Sequence, residues 1–380
     1  MGGRKKSAKK NKPQPEQKNR ILGFFAHQFN RCGKTFWVCL FILFAIWVVS
    51  LQFLPNPKGF LSFSSDQQQT DQRQTTLFGS VTKIFILGDS TVDSSAYIFT
   101  SLPYGIDWPD RSGNDSLGRF SNATRLGLPL PVSFHNWVKD GRKNSRTGVN
   151  VASSGCGLLP TTRPPQAIEC RNIDDQQLEL EMALAKYGAS WFDKAVIMIS
   201  VGGNDIMFSL GLKDPKSFGE ELGSEMAFLL EDLHQLGGRK FFINNVGPVG
   251  CIPNMRAFSV DKKSCFENMN EAARAYNSEL MKVSRRFKEK FNDTIMVADS
   301  FKLFEMILED PLKYGFKNSD GPCCGNWSDS NHMYECKEGS MLCNETERMG
   351  YLFFDGAHTT AAANQLFTEL CLEGDICSEV

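Results

Sequence analysis

Acidic residues are nearly missing from the first 34 positions, where Glu16 stands alone against ten Lys or Arg. The formal net charge of -1 hides this asymmetry, because the rest of the chain carries 42 acidic and 32 basic residues. The chain is two electrostatic objects. It has no internal repeat, which excludes solenoid and propeller architectures. The head also lacks what a cleavable signal peptide needs: its charged region is long, and Gln52-Phe-Leu-Pro-Asn56 offers no small-residue cleavage site. Met1-Gly2 does not open a myristoylation signal, since Lys6 fills the position where Ser or Thr is required.

Between the two objects lies an unbroken apolar run, Phe36 to Val49, which reaches Leu54 if Ser50 and Gln52 are tolerated. At about 1.5 Å per helical residue it spans roughly 28 Å, close to a hydrocarbon core. We expect an uncleaved transmembrane helix, with the basic head on its cytoplasmic side by the positive-inside rule. Arg4-Lys-Lys6 and Lys9-Lys10 also suit a nucleic-acid-binding arm, but that reading leaves the apolar run unexplained, and no nucleic-acid partner is expected.

No sequon precedes the apolar run, whereas Asn114, Asn122, Asn292, Asn326 and Asn344 each open one after it. This one-sided placement agrees with a lumenal or extracellular C-terminal part, in the Golgi, the endoplasmic reticulum or outside the cell. Of twelve cysteines, Cys32 and Cys39 lie in or near the span, leaving an even ten for up to five disulfides in an oxidising compartment. Short separations favour Cys251 with Cys265 and Cys371 with Cys377, and Cys156 with Cys170 is the plain alternative to a reactive thiol. The pairing of Cys323, Cys324, Cys336 and Cys343 stays open. A zinc site there is disfavoured, because adjacent cysteines do not match usual ligand spacing.

The layout is then a basic tail (1–34), a signal anchor (35–54), a polar flexible stem (55–80) and one large domain (81–380). Short apolar, β-branched runs at Lys83 to Leu87, Gly148 to Val151, Ala195 to Ser200, Lys240 to Asn245 and Thr294 to Val297 have the length of buried strands. Helical spacing appears in Asp175 to Lys186, Ser217 to Leu236 and Phe266 to Phe291. The alternation argues a parallel sheet with helices on both faces, whose crevice opens at the carboxyl ends of the strands. Ser90, Gly155 to Gly157 and Gly202-Gly-Asn-Asp205 all follow such strands and converge on that edge.

Those convergent residues carry chemistry. Gly88-Asp89-Ser90 supplies a hydroxyl, and Asp355 and His358 supply a carboxylate and an imidazole three residues apart. A serine hydroxyl needs an imidazole to take its proton, and the imidazole needs a carboxylate to fix its tautomer. Attack on an ester creates an oxyanion, which a loop glycine N–H and an Asn amide can stabilise. His135, His234 and His332 lack comparable contexts and read as ordinary surface or packed residues. The thirty Phe residues read as core rather than as a lipid tunnel.

In order, Phe85-Ile-Leu-Gly-Asp-Ser90, Gly148-Val-Asn-Val-Ala-Ser153 with Gly157, Val201-Gly-Gly-Asn-Asp205 and Asp355-Gly-Ala-His358 resemble the four blocks of the plant GDSL esterase/lipase family within the SGNH hydrolases. Pro103-Tyr-Gly-Ile-Asp107, Gly118-Arg-Phe-Ser-Asn122 and Asn245 to Pro253 are similar to it as well, and the likeness covers residues 83 to 371. The resemblance implies a flavodoxin-like, three-layer α/β/α sandwich with a parallel sheet. It implies Ser90 as nucleophile, His358 as base and then acid, and Asp355 as the orienting group. The oxyanion hole would comprise the N–H groups of Ser90 and Gly157 and the Asn204 amide, with Gly155 in reserve. Thr91 and Asp93-Ser-Ser-Ala96 depart from the family's usual sequence after the nucleophile. The expected activity is cleavage of carboxylic esters, on acetylated cell-wall polysaccharide or acyl lipids, without metal or organic cofactor. An acyltransferase using the same acyl-enzyme, and a silent binding protein on the same fold, are the alternatives.

Overall fold

A computed structural model describes residues 81–93, 103, 104, 106, 131–142, 146–162, 170–209, 214–330 and 332–380. The basic tail, the expected anchor and stem, the 118–122 block and the sequons at Asn114 and Asn122 lie outside the described residues. Among the described residues no helix is long and apolar enough to cross a membrane.

In chain order the strands are Lys83–Gly88 (β1), Val132–Ser133 (β2), Val149–Asn150 (β3), Ala195–Ser200 (β4), Lys240–Asn244 (β5) and Thr294–Ala298 (β6), then Asn318–Pro322 (β7), Asn326–Ser328 (β8), Met333–Glu335 (β9), Tyr351–Phe353 (β10) and Cys377–Glu379 (β11). The longer helices are Phe134–Lys139 (α1), Ile173–Tyr187 (α2), Gly203–Phe208 (α3), Pro215–Gln235 (α4), Glu267–Phe291 (α5), Ser300–Glu309 (α6) and Ala361–Glu373 (α7). The five apolar runs form β1, β3, β4, β5 and β6, and the three helical spacings form α2, α4 and α5.

The main sheet runs β11-β6-β5-β4-β1-β3-β2, with every pair parallel except β11 against β6. Setting aside two-residue β2 and the reversed edge β11, the order β3-β1-β4-β5-β6 is the flavodoxin-like one. Successive residues of a strand face opposite sides, and both sides are covered. Phe85, Leu87, Ile197, Ile199, Phe241 and Ile243 pack with α2, α4 and α5, while Ile84, Ile86, Val196, Met198 and Phe242 pack with α6 and α7. This double covering explains why every residue of β4 is buried and why the strands read as continuous apolar runs.

Local signals set the helix limits. Asp214 caps α4 by accepting from Ser217 N–H at 2.9 Å with Pro215 at the first turn, and Asn172 caps α2 in the same way. Asn292 closes α5 in the left-handed region at φ 56°, behind Lys288 and Lys290, whose charges suit a helix C-terminus.

Among the described residues five disulfides are present: Cys156–Cys170, Cys251–Cys265, Cys323–Cys343, Cys324–Cys336 and Cys371–Cys377. The three pairs expected from sequence form. The open cluster resolves into two nested bridges that enclose the β8–β9 hairpin.

Candidate active site

The strand order reverses at β1, with β3 on one side and β4 on the other, so a crevice opens beyond its carboxyl end. Gly88 ends β1 at φ 147°, and a Cβ there would lie 2.1 Å from the Ser200 carbonyl oxygen. Only glycine permits that approach. The Gln176 side chain seals the junction, accepting from Gly88 N–H at 2.8 Å and donating to its carbonyl at 2.9 Å. The chain then turns, through Asp89 N–H to Ser200 O and Val92 N–H to Asp89 O, and presents Ser90 at the crevice.

His358 reaches Ser90 from the loop after β10. Its Nε2 lies 2.7 Å from Ser90 Oγ, and its Nδ1 lies 2.8 and 2.9 Å from the two Asp355 oxygens. Asp355 Oδ1 also accepts from Ala357 N–H and His358 N–H at 2.8 and 2.7 Å, so the carboxylate folds its own loop. The turn is closed by Phe354 N–H to His358 O at 2.7 Å. A proton on Nδ1 held by Asp355 leaves the Nε2 lone pair for the serine proton. Tyr104, a buried residue distant in sequence, donates its hydroxyl to Asp355 Oδ2 at 2.9 Å.

The glycine loop and α3 face this triad. Asn204, in the first turn of α3, lies on the crevice wall and donates one amide hydrogen to Cys156 O at 2.9 Å. Gly155, at φ 88°, is on the same wall. Gly157 is not: a Cβ on it would lie 2.2 Å from Asp205 Oδ2, so Gly157 lets the loop close over that carboxylate instead of facing the crevice. Asp205 accepts from Leu158 N–H and Leu159 N–H at 2.9 Å and from the Thr162 hydroxyl at 2.6 Å. The structure therefore brings together Ser90, His358, Asp355 and Asn204, with Gly155 and not Gly157 beside them.

Several supporting residues were not singled out from sequence. Asp93, within the stretch that departs from the usual family pattern, accepts from Ser154 N–H and Oγ at 3.0 and 2.7 Å and so anchors the glycine loop. Thr91, the other departure, donates its hydroxyl to Asp89 and meets the Ser200 hydroxyl. Tyr104 carried a signal only as part of a family-like stretch. His332, read as ordinary, is exposed but stands on the crevice wall. His234 pairs with Asp293 at 2.6 Å, stacks on Phe291 and takes no part.

The crevice is a cavity of about 760 Å³ with mostly apolar walls, including Val246, Phe258, Leu303, Phe304 and Phe367. Among the described residues no cluster of His, Cys, Asp or Glu side chains could hold a metal ion. Its electrostatics are set by buried acids. Burial pushes the Asp89 carboxyl up to about 6, against the lowering effect of its bonds from Thr91, and the nearby Asp205 and Asp93 charges add to the rise. Asp205 is raised by the same desolvation despite its hydrogen bonds.

Residues 84–371 match the model of a family described as GDSL-like Lipase/Acylhydrolase. The GDSL esterase/lipase At5g41890 of Arabidopsis thaliana is 30% identical over 332 residues, which cover 77% of this chain and 89% of the relative. The GDSL esterase/lipase At5g08460 of the same plant is 30% identical over 327 residues, covering 77% and 83%. Among solved structures, a catalytic mutant of the acetylxylan esterase Axe2 from Geobacillus stearothermophilus is 14% identical and covers 78% of this chain and 95% of its own, with a TM-score of 0.38.

Asp89 gives a pH signature. Its carboxyl holds a proton more tightly in the folded chain than an ordinary aspartate, which titrates near 3.8, so its contribution to stability falls as pH rises from about 4 to about 6 and the loss is complete above that window. Asp89→Asn cannot ionise and keeps an oxygen for Thr91. Relative to wild type it should gain stability across the window, by at most about 3 kcal/mol. Thermal unfolding of both proteins between pH 4 and 7 measures this. A difference that stays flat with pH would show that Asp89 titrates normally.

Proposed function

The chain belongs to the GDSL-like lipase/acylhydrolase family, and on that premise we propose that it cleaves carboxylic esters through an acyl-enzyme formed on Ser90. The family is one of carboxylic ester hydrolases. One observation carries the reading for this chain: the unbroken hydrogen-bonded line from Ser90 Oγ through His358 to a buried Asp355.

In this reading His358 Nε2 takes the Ser90 proton as Oγ attacks the ester carbonyl, and Asp355 stabilises the imidazolium. The oxyanion is held by the Ser90 N–H, the Gly155 N–H and the second amide hydrogen of Asn204. Gly155 replaces Gly157 as the loop donor because it lies on the crevice wall. Collapse breaks the ester C–O bond, and His358 returns its proton to the departing alcohol. Water, deprotonated by the same ring, then attacks the acyl carbonyl, the bond to Ser90 Oγ breaks, and Oγ takes the proton back from His358 as the acid leaves. A second hydroxyl compound in place of water would make the same site a transferase.

The apolar walls around Ser90 favour esters with a long acyl group, as in acyl lipids, over acetyl groups on polysaccharide. Five disulfides point to the secretory pathway. We further propose a single-pass anchor at residues 35–54 with the catalytic domain lumenal. The one-sided basic charge supports it, as do Asn292, Asn326 and Asn344, each exposed where a glycan would need it.

A fluorophosphonate should label the full-length protein and leave Ser90→Ala unlabelled, and Ser90→Ala or His358→Ala should abolish ester turnover while thermal unfolding stays cooperative. Asn204→Ala should still be labelled but turn over roughly a hundred- to a thousandfold more slowly. Ester turnover at the wild-type rate in folded Ser90→Ala would refute the mechanism.

Acyl preference is read from a p-nitrophenyl ester series. Octanoate should exceed acetate in kcat/KM by at least about tenfold, since each added methylene in an apolar pocket gains a few-fold or more. A preference for acetate would instead favour the polysaccharide substrate.

On intact microsomes, external protease should spare the domain beyond residue 80, and a glycosidase should shift its mobility. A domain that is unglycosylated and open to protease would reject the orientation.

A further inference from the structure

Asp355 is held by more than its own loop. Its Oδ1 takes two backbone N–H groups and the His358 ring, while Oδ2 shares the ring proton and accepts from the Tyr104 hydroxyl at 2.9 Å. Tyr104 is 6% exposed and Asp355 4%, so this bond is made away from water, where a donor to a carboxylate counts most. The Tyr104 ring packs on Phe354 at 5.7 Å between centroids and belongs to a small apolar cluster with Cys324. Tyr104 stands on the crevice wall, and its packing partners Phe354 and Cys324 lie behind that wall and aim the hydroxyl.

We propose that Tyr104 is a positioning residue for ester cleavage, whose hydroxyl fixes Asp355 Oδ2 relative to the His358 ring and withdraws negative charge from it. The inference rests on the reading of Ser90, His358 and Asp355 as the hydrolytic machinery. Two effects follow from one bond. The imidazole stays aligned with Ser90 Oγ, and its basicity is moderated, because a carboxylate that shares its charge with a phenol attracts the imidazolium less. Other titratable groups on the walls around His358 are Asp89 after β1 and His332, Tyr334, Glu335 and Lys337 along β9 and its flanks. These groups, named among the described residues, are all kept by a substitution at Tyr104, and the comparison with Phe354→Leu separates loss of the hydroxyl from loss of packing.

Tyr104→Phe removes the hydroxyl and keeps the ring. In the full-length protein kcat should fall roughly tenfold, and the acid limb of the kcat/KM profile should move to higher pH by roughly half a unit or more, with unfolding still cooperative and its temperature lowered by several degrees at most. Phe354→Leu tests the packing alternative, since it loosens the ring contact but retains the hydroxyl, and its acid limb should stay in place. An unmoved limb in Tyr104→Phe, or an equal movement in both variants, overturns the proposal. Ester turnover persisting in Ser90→Ala would overturn the parent reading along with it, whereas an inactive Ser90→Ala beside a wild-type-like Tyr104→Phe overturns this inference alone.

Discussion

The close approach of β1 to β4 at Gly88 is the contact from which the crevice is built. Four parts of the chain meet there. Asp89 N–H bonds to Ser200 O, Ser153 N–H bonds to Gly88 O, and Gln176 of α2 bridges both backbone groups of Gly88. A side chain at position 88 would push the strands apart, and the nucleophile turn, the glycine loop and α2 would lose their common reference. The conformational freedom of one residue thereby sets the spacing of groups drawn from distant parts of the sequence.

The acids clustered behind that junction show a site maintained at a cost in stability. Asp89, Asp93 and Asp205 are each nearly inaccessible to water, and burial opposes the ionisation of Asp89 and Asp205. Asp93 and Asp205 are offset by N–H and hydroxyl donors from the very loop they hold, at Ser154 and at Leu158, Leu159 and Thr162. Apolar residues could fill the same volume but could not fix a loop that lacks regular secondary structure. The loop's backbone donors need acceptors once buried, and these carboxylates supply them.

The sheet was legible because burial on both faces leaves continuous β-branched runs, and α2, α4 and α5 were legible through apolar residues at helical spacing. That Ser90, Asn204, Asp355 and His358 would meet at one crevice was legible through their order along the chain. Gly157 was preferred to Gly155, whereas the structure puts Gly155 on the crevice wall, since which of two glycines faces the crevice depends on Asp205 beneath the loop, which leaves no local period. Asp93 was not singled out because its partner, Ser154, is distant in sequence. Tyr104 was hidden for the same reason, its partner lying 251 residues away. The edge strand β11 and the β8–β9 hairpin are only three residues per strand, too short for alternation to register.

The nested bridges around that hairpin bear on how the protein must be made. Cys323 and Cys324 are neighbours in the chain yet point to different partners, Cys343 and Cys336. An oxidising enzyme that meets the nascent chain therefore encounters two adjacent thiols with interchangeable reach, and the swapped pairing closes loops of similar length. Only the packed hairpin discriminates between them. Correct assembly calls for a compartment in which disulfides can be reshuffled after they form, and the bridges it completes enclose Tyr334 and Glu335, which line the crevice.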